Sequence, residues 1–163
     1  MESPAILVYS ASTSIGTYAI ELALVARTPA GKPYRVFATA SAKHHARLLA
    51  KGVEGVFDYR SPTWPDDVRK ASGGIAGAVD CISEDESTSK ISQTFGESGG
   101  PISVLRHAAW SREGIPENVV PKYSAVWIGL GHAVIYNSEQ SFPILKWDLW
   151  LRNAWYRGRG AAS

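Results

Sequence analysis

Short apolar runs alternate with segments of helical periodicity along the first two-thirds of this chain. The apolar runs predict five strands, at residues 5–9, 35–39, 55–58, 77–82 and 100–105. The segments between them predict four helices, at residues 14–27, 43–51, 65–71 and 87–95. Regular alternation of this kind indicates right-handed βαβ units and a parallel sheet covered on both faces. The predicted fold is therefore α/β, a doubly wound, mostly parallel sheet of the Rossmann type.

The first helix carries a repeating set of apolar residues. Ile15, Ala19, Leu22 and Ala26 recur at helical spacing, which predicts that they form the face packed on the sheet.

The regular pattern fades after residue 105. Residues 107–121 read as irregular, residues 124–128 as one more strand, and residues 142–155 as a helix followed by a frayed tail. We therefore expect a dinucleotide-binding domain at residues 1–142 and an atypical C-terminal helix and tail at residues 143–163.

Composition narrows the class of protein. The chain has 163 residues, 45% of them hydrophobic and 20% charged, and a formal net charge of +2. That charge is too small to favour nucleic-acid binding. The single cysteine, Cys81, excludes an internal disulfide framework and suits a reducing compartment. No apolar run approaches the roughly 20 residues that span a bilayer, and no signal peptide is evident, so a cytoplasmic protein without membrane contact is expected.

The turn after the first predicted strand is rich in hydroxyl groups. It runs from Ser10 to Gly16, and only Gly16 matches the glycine-rich dinucleotide fingerprint. Ser10, Ser12, Thr13 and Ser14 replace the other glycines, and hydroxyls together with helix N-terminal amides bind phosphate. The alternative is that these residues only cap the helix. Four hydroxyls exceed what a cap requires, which favours nucleotide binding.

The end of the second predicted strand bears on the choice of cofactor. NAD-binding domains place an acidic residue there for the ribose hydroxyl, whereas residues 39–45 contain none. Ser41, Lys43 and His44 instead offer a donor and positive charge for a 2′-phosphate, which indicates NADPH. The alternative is an ordinary serine cap with a solvated lysine and histidine.

Further residues fall at the ends of the later strands. Tyr59 follows the third strand, where it either contacts the adenosine or is a partly exposed loop tyrosine. Cys81-Ile82 and Val104-Leu105 end the fourth and fifth strands, where backbone and small apolar groups usually form the floor of a nicotinamide-ribose pocket.

Other chemistry has no support in the sequence. Cysteine and histidine spacing predicts no metal site, and neither a Tyr-x-x-x-Lys pair nor a P-loop occurs. Glu84, Asp85 and Glu86 read as solvated residues that complement a helix dipole. No catalytic side chain is assigned.

Several of these pieces together resemble the medium-chain dehydrogenase/reductase superfamily. They are the strand–turn–helix at 8–23, Phe37-Ala38-Thr39-Ala40-Ser41, Phe57-Asp58-Tyr59-Arg60 and Asp80-Cys81-Ile82-Ser83. The likeness is greatest to its zinc-independent branch, the quinone-oxidoreductase-like proteins and the fungal trans-acting enoyl reductases, and covers residues 4–142.

The resemblance implies a role for each matching position. It implies a pyrophosphate site at Ser12, Thr13, Ser14 and Ile15, and a 2′-phosphate site at Ser41, Lys43 and His44. It also implies adenosine contact at Tyr59, nicotinamide-ribose contact at Leu105, and a substrate side at Gly129, Leu130 and Gly131.

The implied reaction is hydride transfer from NADPH to an α,β-unsaturated carbonyl, with an enoyl or quinone-like small molecule as substrate. Members of the superfamily carry a barrel-like substrate half before this domain. We therefore expect a fragment or separated domain that binds a dinucleotide, with self-association or a polyketide synthase as partner. The alternatives are a non-catalytic dinucleotide-binding or interaction module, and a methyltransferase, which the missing acid after the second strand disfavours.

Overall fold

The computed structural model describes residues 3–84, 86–106 and 112–123, together with the backbone of two short strands at 134–137 and 140–142. The chain divides into two compact units, residues 1–123 and 124–163, which are described separately.

The first unit is built around a six-stranded sheet in which every neighbouring pair is parallel. Its strands are β1 (Ala5–Tyr9), β2 (Arg35–Thr39), β3 (Gly55–Phe57), β4 (Gly77–Asp80), β5 (Gly100–Val104) and β6 (Val119–Tyr123). Their order across the sheet is β3-β2-β1-β4-β5-β6. The direction of winding reverses between β1 and β4, which confirms the predicted doubly wound fold.

Four helices connect these strands. They are α1 (Ser14–Val25), α2 (His45–Ala50), α3 (Trp64–Ser72) and α4 (Ser87–Ser92), and a 3₁₀ turn at Ala42–His44 precedes α2. The predicted starts of α1 and α4 are correct. Three of the helices stop short of their predicted ends, α1 by two residues, α2 by one and α4 by three.

Helices cover the sheet on both faces, since alternate strand residues point to opposite sides. Leu7 and Phe37 belong to one apolar cluster, which includes Trp64 of α3 and Ile91 of α4. Val8, Val36 and Ala38 belong to the other, which includes Ile20 of α1 and Leu48 of α2. Each central strand is therefore buried on both sides, as an apolar parallel strand requires.

The sixth strand corrects the prediction for the region after residue 105. Residues 119–121 were expected to be irregular, but they pair with β5. Pro121 lies in this strand, which is tolerated because β6 is at the edge of the sheet. Residues 124–128, where a strand was predicted instead, lie outside the described residues.

The predicted buried face of α1 is only partly correct: Ala19 packs against the second apolar cluster, but two other positions do not. Gly16, Ile20 and Ala23 are buried, whereas Ile15 and Leu22 are 51% and 68% exposed. The reason is the contact of α1 with the end of β1. A Cβ at position 16 would lie 2.4 Å from the Ser10 carbonyl oxygen, so only glycine allows this approach, and the approach sets the rotation of the helix.

In the second unit the structure describes an antiparallel pair, β7 (Val134–Asn137) and β8 (Gln140–Phe142), with an irregularity between Ile135 and Asn137. Phe142, where a helix was predicted to begin, ends β8. The remainder of that helix and the tail at 143–163 lie outside the described residues. None of the helices described here is long and apolar enough to cross a membrane.

The contact at Gly16 gives a stability prediction. We expect Gly16→Ala to lower the free energy of unfolding by about 1–3 kcal/mol, because the added methyl group overlaps a backbone that cannot move freely. Gly77→Ala is the matched control, since a Cβ there meets its nearest atom at an ordinary 3.7 Å. Urea denaturation of both variants measures the difference, and equal losses would contradict the proposed fit of α1.

Candidate functional site

The carboxyl ends of the six parallel strands lie at one edge of the sheet, and the loops after β1 to β5 emerge there. Ligands of doubly wound sheets bind at this edge, where the winding reverses. In this chain that point lies between β1 and β4, so the turns after these two strands define the centre of the candidate site.

The turn between β1 and α1 is organised by Thr13, the N-cap of the helix. Its hydroxyl accepts a hydrogen bond from the Gly16 N–H at 3.0 Å and donates one to the Ser10 carbonyl at 2.9 Å. The capping interpretation therefore applies to Thr13, whose hydroxyl proton is already used within the turn.

The neighbouring N–H and hydroxyl groups of the same turn differ from the Thr13 hydroxyl, because they are not hydrogen-bonded within the described turn. Within the described part of the chain, the N–H groups of Ser12, Ser14 and Ile15 and the hydroxyls of Ser12 and Ser14 have no hydrogen-bond partner. Ser14 and Ile15 occupy the first turn of α1, where amides have no acceptor within the helix and the helix dipole favours an anion. This turn can therefore bind a phosphate or diphosphate.

A buried threonine ties this turn to the end of β2. The Thr39 hydroxyl accepts from the Ser10 N–H at 2.9 Å, and its carbonyl accepts from the Ala11 N–H at 2.9 Å. Ser10 has φ 58°, a conformation that is uncommon outside glycine. Thr39 was not predicted as a site residue; the signal that could have identified it is a threonine that ends the otherwise apolar second strand.

Ser41, Lys43 and His44 lie in the loop and 3₁₀ turn after β2. Ser41 is the N-cap residue of that turn, yet its side chain makes no capping hydrogen bond. Lys43 is exposed. The pKa of His44 is lowered by loss of solvation and by the charges of Lys43, Arg47 and His45, so its ring is mainly neutral at pH 7. The permanent positive charge predicted here therefore comes from Lys43 and not from His44.

Tyr59 lies in the loop after β3 and is 36% exposed. Its ring meets the Tyr9 ring edge-on at 6.4 Å, and the Arg60 guanidinium lies 4.7 Å from its centre. Burial, with smaller contributions from Asp80 and Tyr59, raises the pKa of Tyr9 to about 12, so that phenol stays protonated at physiological pH. This aromatic group leaves part of the Tyr59 ring available to a ligand.

On the other side of the centre, Leu105 follows β5 and is half-buried. Its N–H donates to the Ser83 hydroxyl at 2.8 Å, which joins the ends of β4 and β5. Glu84 and Glu86, predicted to be solvated, form ion pairs with Arg106 and Lys90. The predicted substrate-side residues Gly129, Leu130 and Gly131 lie outside the described residues.

The site offers no metal chemistry within the described ranges, where no group of three or more potential ligands occurs. Cys81 is a buried free thiol, and burial, followed by the charge of Asp80, raises its pKa to about 12. A protonated, enclosed thiol is inert. The edge as described provides phosphate donors, the positive charges of Lys43 and Arg60, and an aromatic ring, a set suited to binding.

The fold and this edge define a doubly wound α/β domain with amide and hydroxyl donors at its reversal point. No protein-family profile matches the chain. It is 30% identical over 154 residues, 94% of its length, to the trans-enoyl reductase iccB of Talaromyces variabilis. It is 39% identical over 106 residues to the trans-enoyl reductase ACTTS2 of Alternaria alternata. The CurK enoyl reductase superposes on 98% of the chain with a TM-score of 0.64 at 18% identity, which shows the shared fold.

These similarities confirm the predicted relationship to the medium-chain dehydrogenase/reductase superfamily, with trans-enoyl reductases among the relatives. The chain spans 39% of the length of the Talaromyces protein and 29% of the Alternaria protein.

The thiol of Cys81 gives a pH prediction. The pKa of this thiol is 9.0 in the unfolded chain and about 12 in the folded protein. The thiol therefore contributes its full stabilisation below pH 9 and loses it as the pH rises toward 12. We expect the free energy of unfolding to fall more steeply between pH 9 and 11 than in Cys81→Ala, by up to about 1.4 kcal/mol per pH unit. Tyr9 acts in the same direction and remains in the variant. Denaturant titrations at several pH values measure both slopes, and identical slopes would refute the assignment.

Proposed function

We propose that this chain is the NADPH-binding part of an oxidoreductase of the enoyl-reductase type. The observation that carries the proposal is the β1–α1 turn, where amides and hydroxyls without a partner among the described residues lie at the N-terminus of a twelve-residue helix, at the reversal point of the sheet. The sequence similarity to trans-enoyl reductases supports the reaction class.

Each predicted residue has a role in this proposal. The Ser12, Ser14 and Ile15 groups bind the pyrophosphate, and Thr13 holds their turn in shape. Ser41 and Lys43 bind the 2′-phosphate, with the neutral ring of His44 as a further donor. Tyr59 contacts the adenosine and Leu105 the nicotinamide ribose. Gly129, Leu130 and Gly131 face the substrate.

The preference for NADPH over NADH rests on electrostatics. Residues 39–50 contain no carboxylate to accept from a ribose hydroxyl, while Lys43 is exposed and Arg47 follows one turn later. A 2′-phosphate adds negative charge at this position, where it is attracted to these two side chains and meets no carboxylate from residues 39–50.

When bound, the nicotinamide supplies hydride chemistry toward the β-carbon of an α,β-unsaturated carbonyl. The residues of this chain bind and orient the cofactor. We propose that an enoyl or quinone-like substrate is bound together with a polypeptide equivalent to the remaining length of the relatives, and that a polyketide synthase delivers it. The proposed compartment is the cytoplasm, because a free thiol suits reducing conditions.

A second candidate is a non-catalytic dinucleotide-binding module. It is favoured by the site itself, since the described edge holds phosphate donors, positive charge and an aromatic ring, while its acids Asp58 and Glu84 are paired with Arg60 and Arg106. Enone reduction assayed with the purified chain separates the two candidates, because turnover would exclude the non-catalytic one.

Cofactor binding is tested by thermal unfolding. We expect NADPH to raise the unfolding temperature, since a ligand that binds only the folded state adds about 2.7 kcal/mol at a hundredfold excess over its dissociation constant. NADH should produce a smaller increase at equal concentration. Absence of any shift at millimolar NADPH would end the proposal.

Lys43 is tested by charge reversal. We expect Lys43→Glu to weaken NADPH binding about tenfold or more, because an attractive charge becomes a repulsive one, and to leave NADH binding nearly unchanged. Lys70→Glu is the matched control: Lys70 lies in the last turn of α3, and that helix runs back toward the opposite edge of the sheet. Isothermal titration with both cofactors measures the change, and an equal loss for NADH would argue against a 2′-phosphate contact.

A further inference from the structure

Asp80 is a fully buried carboxylate at the carboxyl end of β4, beside the reversal point of the sheet. Four donors bind it. The Ile82 and Ser83 N–H groups donate to Oδ1 at 3.1 and 2.8 Å, and the Ser87 and Thr88 hydroxyls donate to Oδ2 at 2.7 and 2.9 Å. Among the described residues no basic side chain pairs with it, so hydrogen bonds alone satisfy this buried acid.

Ser83 connects Asp80 to the end of β5. Its hydroxyl donates to the Asp80 carbonyl at 2.9 Å and accepts from the Leu105 N–H at 2.8 Å. Ser83 is fully buried and has φ 55°. A serine in this left-handed conformation is maintained by its surroundings, and here Asp80 supplies two of the three bonds that hold it.

The only other non-glycine residue with positive φ in the described ranges is Ser10. Ser10 follows β1 and Ser83 follows β4, so the two constrained serines flank the reversal point of the sheet. Constrained backbone of this kind concentrates at ligand sites. Ser10 belongs to the proposed pyrophosphate turn after β1. The end of β4, with Ser83, is therefore left for the nicotinamide half of the dinucleotide.

A second contact reinforces the link between β4 and β5. Glu84, the residue after Ser83, pairs with Arg106, the residue after Leu105. The turn at 81–84 and the residues at 105–106 are therefore joined by one partly buried hydrogen bond and one exposed ion pair, which hold the two segments together.

We propose that Asp80 is a positioning residue that acts through Ser83 to hold Leu105 in place for the nicotinamide half of the dinucleotide. This inference rests on the proposed function. With the Ser83 hydroxyl present, the Leu105 N–H is satisfied within the protein and the strand end keeps one conformation. Without it, an unpaired N–H lies at this edge and the strand end loses its tie to β4.

The test compares a whole cofactor with its adenosine half. Ser83→Gly removes the hydroxyl while allowing positive φ, so it spares the backbone conformation. We expect it to weaken NADPH binding about fivefold, as for the loss of one buried hydrogen bond, and to leave adenosine 2′,5′-bisphosphate binding within about twofold. Asp80→Asn, which replaces one acceptor oxygen by an amide group, should likewise weaken NADPH binding and leave bisphosphate binding nearly unchanged. Isothermal titration measures all of these constants.

Thr94→Val is the matched control. Thr94 is also fully buried, and its hydroxyl donates to the Ile91 carbonyl near the far end of α4. Thr94→Val should lower the free energy of unfolding without changing the affinity for NADPH relative to that for the bisphosphate. Equal losses for NADPH and the bisphosphate in Ser83→Gly, or no loss for either, would overturn the positioning role. If the unaltered protein binds neither ligand, the proposed function itself fails, which distinguishes the two outcomes.

Discussion

The close approach of α1 to the end of β1 is the contact on which the rest of this structure depends. It exists because position 16 has no side chain and the Ser10 carbonyl occupies that space. The approach turns Ile20 and Ala23 toward the sheet and brings the N-terminus of α1 against the carboxyl end of β1. One steric constraint therefore sets both the packing of the first βαβ unit and the position of the proposed pyrophosphate donors.

Two buried polar residues extend this arrangement to the neighbouring strands. Thr39 holds the turn after β1 against the end of β2, and Asp80 holds the turn after β4 against the end of β5 through Ser83. Each is fully buried, and its side chain accepts hydrogen bonds from the turn that it supports. Loops that carry ligand groups need such support, because amides and hydroxyls select a ligand only while their positions are held.

Much of this architecture could be predicted from the sequence. The bounds of β1 and β2 and the start of α1 were correct, because buried parallel strands and capped helices have strong local patterns. The strand β6 was missed, since Pro121 and charged neighbours hide an edge strand whose pairing is supplied by β5. The buried face of α1 was predicted correctly at Ala19 but wrongly at Ile15 and Leu22, which follow helical spacing yet point away from the sheet.

The sequence by itself determined the class of fold and the chemical inventory of the edge: a hydroxyl-rich turn, a lysine without a nearby acid, and a tyrosine after the third strand. Tertiary structure decided how these groups are used. It placed the Thr39 hydroxyl against the Ser10 N–H, 29 residues away, and the Ser83 hydroxyl against the Leu105 N–H, 22 residues away. Periodicity is local and can be read along the chain, whereas a hydrogen-bond partner is chosen by strands distant in sequence that meet only in the folded sheet.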